Sequence, residues 1–574
     1  MPSWLLSPGF LLWSVMDLFR RLGTVVRRIF WPARMRLEDL DGDVLSLVFD
    51  SLPFTERLAA TTLSRRMREV LAPGVLSRVR WAPLRTDFPP EALWPYIQDL
   101  HISGEPDSHN TRSELDYDAI VACLRSCFPL LRKLGTFTLS AIPGGLWPEL
   151  LESLPLAPNL HLLVLEANWW PPKVDAPFLL PIVPTPFTFV GYSFTLASNP
   201  LTGQPARRSP NVTNVEGANL RQVLSGCHAS LERAYIPGDL LLRAMDLSLD
   251  WTALTSLFVE GIWPMDAPER APPLAPLSPR SERTDSPPPV EQMQSPILVL
   301  LEALPSLRVL FLDISAMLDE VDVMTTELIG QHHAPPQNPA GFLRYLEVLK
   351  LASYRDNDRF LTFLPRCLRQ LSLVQYPLEP SDTIWQPLLL ATELLSLLEN
   401  VDFPDLEVLQ IWYTVATAQD ADAEAGIFAL VPVKFPRLRK ILFWRQWIDD
   451  EEELTGLWDP TFKLKAMCSK LPELQDLRVN PDVPDPISGT PFQRPVPEFY
   501  ASIARLRGMA QEIVSECPSL RVVALYTNAV NIHMSYSWEV WDVLLGPAGE
   551  VQLRDRPTYH GLTISELERL NPPE

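Results

Sequence analysis

The sequence predicts an α/β protein in which a small N-terminal helical unit precedes an irregular solenoid of short parallel strands and helices. Three observations carry that expectation. A phrase of the form Pro-x-Leu-x-x-Leu-x-Leu recurs along most of the chain. Helix-compatible segments such as LLLATELLSLLENV (388–401) and ASIARLRGMAQEIVSEC (501–517) lie between its copies. Ahead of it, DGDVLSLVFDSLPFTERLAATTLSRRMREV (41–70) has a different texture, with two amphipathic helical patterns.

The phrase reads PLLRKLGTF at 129–137, PNLHLLVLEAN at 158–168, PSLRVLFLDIS at 305–315, YLEVLKLASY at 345–354 and CLRQLSLVQY at 367–376. It continues as PDLEVLQIWYT at 404–414, PRLRKILFWRQ at 436–446, PELQDLRVN at 472–480 and PSLRVVALYTN at 518–528, with weaker copies at 230–237 and 253–261. Its last two apolar positions alternate, as one buried face of a short strand requires. Strand, turn, helix and strand again is the rhythm of a leucine-rich repeat. Several copies place a polar residue three positions after the last strand apolar: Asn168, Ser315, Thr414, Gln446 and Asn528. The leucine-rich family, which these copies resemble, uses Asn there to satisfy turn backbone. Repeat lengths are irregular.

Composition narrows the function. At 574 residues the chain exceeds one ordinary core. With 47% apolar and 21% charged residues it is globular, and proline is abundant at 59. A formal net charge of −21 opposes general affinity for nucleic acid, which needs clustered Lys and Arg. Six scattered cysteines suit a reducing compartment, so a cytoplasmic or nuclear location is expected. Phosphate-loop, nucleophile-elbow and zinc-helix motifs are absent from the sequence, and the eight histidines are dispersed. The expectation is a non-enzymatic protein without cofactor or metal.

In the helical unit, Val44, Leu45, Val48, Phe49 and Leu52 share one helical face, and Asp41 or Asp43 can cap it. Pro53 breaks the chain. Thr55 caps a second helix carrying Leu63, Met67, Val70 and Leu71, which Pro73-Gly74 is expected to end. The order Leu40, Asp43-Val44-Leu45, Val48-Phe49, Leu52-Pro53, Arg57-Leu58-Ala59-Ala60 and Leu63-Ser64-Arg65-Arg66-Met67-Arg68 resembles an F-box. The family's opening Leu-Pro is Leu40-Asp41 here, and its second-helix aromatic is Met67. An F-box beside irregular leucine-rich repeats is similar to the large fungal, mushroom-type F-box families. That resemblance implies a substrate-recognition subunit of a Skp–cullin–F-box ubiquitin ligase. Leu40, Val44, Leu45, Val48, Phe49, Leu52, Pro53, Leu58, Leu63 and Met67 would bind the Skp-type adaptor, and the repeats would bind a protein substrate.

The expected organisation is thus a leader (1–35), an F-box-like helical domain (36–82), an irregular leucine-rich-repeat solenoid (83–562) and a C-terminal tail (563–574). The solenoid is interrupted by a Pro-rich insertion (170–210) and by 263–296, whose Pro, Ser and charge content predicts disorder. The leader reads either as an amphipathic helix over 12–30, able to lie on an anionic membrane, or as a helix packed on the protein or left unordered. The alternative function is a leucine-rich-repeat scaffold outside ubiquitin transfer, membrane-associated if 12–30 acts as an anchor. For substrate binding, Trp412, Trp444 and Tyr526 occupy strand positions facing away from the buried leucines. Glu166, Glu260 and Asp313 hold the same position in earlier repeats. These form an open binding surface, or a C-terminal helix such as 563–570 covers them.

Overall fold

A computed structural model describes residues 41–50, 54–104, 115–142, 145–166, 179–193, 210–262, 295–315, 328–330, 333–352, 354–355, 357–374, 388–447, 459–481, 496–527, 537–546 and 550–556. The chain divides into two compact units, 1–195 and 196–574.

The first unit opens with three helices: α1 (Gly42–Asp50), α2 (Phe54–Ala60) and α3 (Arg65–Val75). Where the sequence pattern runs one helix through 55–72, the chain breaks at 61–64. There the Thr61 and Thr62 hydroxyls donate to the carbonyls of Leu58 and Ala59, both at 2.7 Å, and so compete with helix continuation. Ser64 then caps α3 by accepting from Met67 N at 3.1 Å. Pro73-Gly74 does not end α3; both lie in its last turn, and the helix stops at Val75. Leu45, Phe49, Ala60, Met67, Leu71 and Val75 form one small core. Met67 is 2% exposed within it, where a flexible thioether fills irregular space.

Five strands follow: β1 (Arg78–Trp81), β2 (Asp99–Ser103), β3 (Thr136–Ser140), β4 (Leu162–Glu166) and β5 (Phe189–Ser193), each parallel to the next. Helices α4 (Tyr117–Cys127) and α5 (Pro148–Ser153) precede β3 and β4. Leu100, Phe137, Leu163 and Val190 are register partners and are all fully buried. Strands β1, β2 and β5 were not among the repeat copies read from the sequence. β5 lies inside the stretch expected to be an insertion, because its FVGYS keeps the strand alternation without the Leu-x-x-Leu lead.

The second unit contains β6 (Arg233–Pro237), β7 (Ser256–Ile262), β8 (Val309–Ser315), β9 (Val348–Ala352), β10 (Gln370–Val374) and β11 (Leu389–Leu390). Beyond these are β12 (Val408–Val415), β13 (Lys440–Trp447), β14 (Asp476–Asn480), β15 (Val522–Thr527), β16 (Ser537–Leu545) and β17 (Val551–Asp555). Its helices are α6 (Pro210–Cys227), α7 (Leu241–Ala244), α8 (Pro296–Glu302), α9 (Ala391–Asn400), α10 (Ala418–Lys434), α11 (Pro460–Cys468) and α12 (Val496–Glu516). Strands β6 to β10 and β12 to β15 pair in parallel in chain order, while the two-residue β11 pairs only with β12. The predicted helices at 388–401 and 501–517 correspond to α9 and α12.

The parallel pattern ends at β15. β16 and β17 add an antiparallel hairpin, which the repeat phrase does not foretell. Side chains of α12 cover the backbone of β17: Arg507 donates to Leu553 O at 2.8 Å and Gln511 to Val551 O at 3.0 Å. An edge strand with open carbonyls invites pairing with another chain, and these two bonds remove that opportunity.

A buried ionic group ties β12, β13, α10 and α11 together. Glu424 of α10 accepts from Tyr413 OH at 2.8 Å and from Arg445 Nε at 2.7 Å, and its other oxygen lies 3.5 Å from Lys463 Nζ. The side chains of Glu424 and Arg445 are 1% and 2% exposed. Buried charges of this kind are strongly destabilising when one partner is removed.

Two substitutions separate the units. Phe49→Ala removes a fully buried ring from the helical core and should cost about 3–5 kcal/mol. Hydrogen exchange is expected to show α1–α3 losing protection while β6–β17 keep theirs. Glu424→Ala, which strands Arg445, should cost about 3–5 kcal/mol in the second unit and leave α1–α3 protected.

Candidate functional site

Two surfaces correspond to the sequence expectations, one in each unit.

In the helical unit, the apolar face named by the sequence is divided between two uses. Leu45, Phe49 and Met67 are consumed by the unit's own core, and half-buried Leu63 packs against it. Val44 and Leu58 instead face solvent, 40% and 43% exposed. Leu40, Leu52, Pro53 and the side chain of Val48 lie outside the described residues. Among the described residues, the outward apolar surface is Val44 and Leu58, not Leu45 or Phe49.

In the second unit, strand register brings the predicted row together. Glu260 pairs with Asp313, and further along the sheet Trp412 pairs with Trp444 and Tyr526 with Trp538. Asn480 of β14 stands opposite Trp444. The alternating residues face the helices: the Phe443 ring meets Phe428 of α10 with centroids 5.6 Å apart. The row is thus on the helix-free face, as the alternation requires.

Its exposure differs from an open surface. Trp412, Trp444 and Tyr526 are 3%, 8% and 6% exposed, in a cluster with Ala352, Val374, Leu442, Ala524 and Trp538. The two indoles stack at 4.7 Å with planes 16° apart, and Tyr526 tilts against Trp444 at 4.3 Å. Small or short residues at β9, β10 and β14 leave room for the large rings on β12, β13 and β15. Trp538, the edge partner of Tyr526 at 5.4 Å, belongs to the antiparallel hairpin and was not anticipated. Its WEVW context carries no repeat phrase. The segment 563–570, offered above as a cover, lies outside the described residues.

The acidic positions are also modified by neighbours. Asp313 pairs with Lys350 Nζ at 3.1 Å; the lysine side chain is 6% exposed and lies over the Phe311 ring. This compensating lysine occupies the neighbouring row and was missed from the sequence. Glu260 is half-buried in register beside Asp313. In the first unit, Glu166 is exposed and pairs in register with Ser140 and Ser193.

Between the acidic and aromatic parts lies a polar patch. Ser372 Oγ, Gln410 Nε2 and Trp412 Nε1 are buried and have no hydrogen-bond partner. Ser372 and Gln410 are register partners on β10 and β12, two residues before Val374 and Trp412. Unpaired buried donors are costly. Among the described residues no group of three or more His, Cys, Asp or Glu could hold a metal ion. No described helix is long and apolar enough to cross a membrane, and residues 12–30 lie outside the described set.

Parallel strands in strict register, backed by helices, define a leucine-rich-repeat fold with an added helical unit. No family model and no curated protein matches the chain. Among solved structures, it is similar to the yeast Rad7–Elc1 complex, with 13% identity over 92% of this chain and 96% of that one, at a TM-score of 0.33. It is also similar to a leucine-rich-repeat protein of Leptospira interrogans (11% identity, 78% and 95% covered, TM-score 0.23). A third likeness is to a TLR13–ssRNA13 complex (12% identity, 67% and 56% covered, TM-score 0.25).

The aromatic stack gives a direct measurement. Trp444→Ala removes the middle ring and should lower stability by about 3–5 kcal/mol in chemical denaturation. Trp412→Phe keeps a ring in the stack and deletes an N–H that has no partner. It should cost less than half as much.

Proposed function

We propose that the chain is a substrate-recognition subunit of a Skp–cullin–F-box ubiquitin ligase. In this reading α1–α3 dock the Skp-type adaptor and the leucine-rich repeats hold a protein substrate. The chain itself performs no catalysis, and ubiquitin-transfer chemistry resides in other subunits. The F-box resemblance of residues 40–68 motivates the reading, and the fungal, mushroom-type affinity and a cytoplasmic or nuclear location belong to it. The observation that carries it is the division of labour within α1–α3. Among the described residues the core has six buried side chains, with Leu63, Val70 and Leu76 packed against it, and Val44 and Leu58 present apolar surface outward. A partner that covers both side chains would complete that core.

Adaptor binding tests the proposal without unfolding the protein, because both side chains to be changed are exposed. Full-length chain is expected to co-purify with the Skp-type adaptor. Val44→Asp with Leu58→Asp should weaken that binding at least tenfold while circular dichroism stays unchanged. Absence of binding by wild type, or a double variant that binds equally well, would leave the scaffold alternative as the better reading.

A further inference from the structure

The repeat phrase carries a feature that the proposed function does not use. From β8 to β13 the residue after its first leucine is charged and alternates in sign: Arg308, Glu347, Arg369, Glu407 and Arg439, with Gln475 and Arg521 following. Backbone bonds join each to the next, from Glu347 N to Arg308 O at 2.8 Å through to Arg521 N to Gln475 O at 2.9 Å. The side chains follow suit. Arg308 lies 3.5 Å from Glu347, Arg369 lies 2.7 Å from Glu407, and Arg439 lies 3.8 Å from Glu407. Strands stand about 4.8 Å apart, so each cation sits beside an anion on the neighbouring rung.

At the C-terminal end the alternation fails. Gln475 replaces an acid, and Glu473 from the adjoining turn reaches Arg439 at 3.2 Å instead. Arg521 is exposed, and among the described residues no carboxylate pairs with it. It opens onto a groove of about 780 Å³ whose lining includes Arg521, Arg554, Arg556, Asp542, Leu544 and Leu545. Two acids line it, and both are committed: Glu473 to Arg439, and Asp542 to Arg554 at 3.0 Å and Arg556 at 2.5 Å. Burial works to raise the Asp542 carboxyl, but these two guanidinium groups outweigh it and hold it below the usual range. Leu544 and Leu545 are 39% and 60% exposed on the same groove. In a chain of net charge −21, this is a local cationic and apolar concavity.

We infer that this groove docks an acidic, leucine-bearing peptide segment of a partner protein, whose carboxylate pairs with Arg521, flanked in the sheet by the uncharged Gln475 and Val543. Aliphatic side chains of that segment cover Leu544 and Leu545. Recognition is by side chains, since Arg507 and Gln511 already occupy carbonyls of β17 and oppose strand addition. Charge complementarity selects the carboxylate, because arginine pairs with it through parallel donors. The inference stands apart from the adaptor reading; it concerns different residues in a different unit.

The test uses the full-length protein and two dye-labelled peptides of about eight residues, one alternating leucine with glutamate and one alternating leucine with glutamine. Fluorescence anisotropy should show the glutamate peptide binding at least tenfold more tightly than the glutamine peptide. Arg521→Glu should abolish that preference, and Arg521→Ala should reduce it several-fold. Leu545→Ser should weaken the glutamate peptide several-fold. Equal binding of the two peptides, no measurable binding to wild type, or Arg521 variants that bind as wild type does would each overturn the inference. Should Arg521→Glu fail to fold, the two-peptide comparison on wild type still decides.

Discussion

Everything in the second unit rests on backbone pairing in which each strand meets the next without a register slip. Ala234, Leu257, Leu310, Leu349, Leu371, Leu409, Ile441, Leu477 and Val523 are successive register partners, and every one is fully buried. A slip of one residue would turn this entire row out of the core. The apolar row and the hydrogen-bond ladder therefore enforce each other. No single repeat could bury its leucines alone.

Once register is fixed, every other position in the phrase becomes a row of its own, with properties set by its neighbours. The indoles of Trp412 and Trp444 stack because two strands place them opposite each other. Arginine and glutamate alternate at the strand entry because like charges on adjacent rungs would repel. The same logic explains the buried ionic group. Tyr413 and Arg445 are register partners, and Glu424 from the helix above serves both. Interactions that look separate in the sequence are consequences of one translational repeat. Where the antiparallel hairpin replaces the next repeat, the rows change character: Arg521 meets Val543 and not an acid.

How far the sequence disclosed this depends on which signal each element used. Strands with the full Leu-x-x-Leu-x-Leu lead, such as β12 and β13, were legible, as was the face on which Trp412 and Trp444 sit. Strands β2 and β5 were not, because Ile97 and Phe187, both buried, stand where the lead has its first Leu. Burial of the aromatics was not legible either. Alternation says which face a side chain takes, while exposure depends on what else packs there. The break between α2 and α3 turns on two threonine hydroxyls, a local competition that a helical wheel does not register. Lys350 was missed for a related reason: its role exists only through register with Phe311, at the side of Asp313.

The helical unit obeys a different constraint. It has no neighbouring copy to complete it, so its six core residues must be gathered from three short helices. In such a small core, a methionine at the position where the resembled family keeps an aromatic is a packing solution. Met67 reaches Leu45 and Phe49 without demanding a planar slot. The consequence falls on the outward face. The residues that resemble the family most strongly, Leu45 and Phe49, are those the core consumes, whereas Val44 and Leu58 remain outside. The motif thus divides between two tasks. Leu45 and Phe49 hold the helices together, and Val44 and Leu58, of the same motif, face outward.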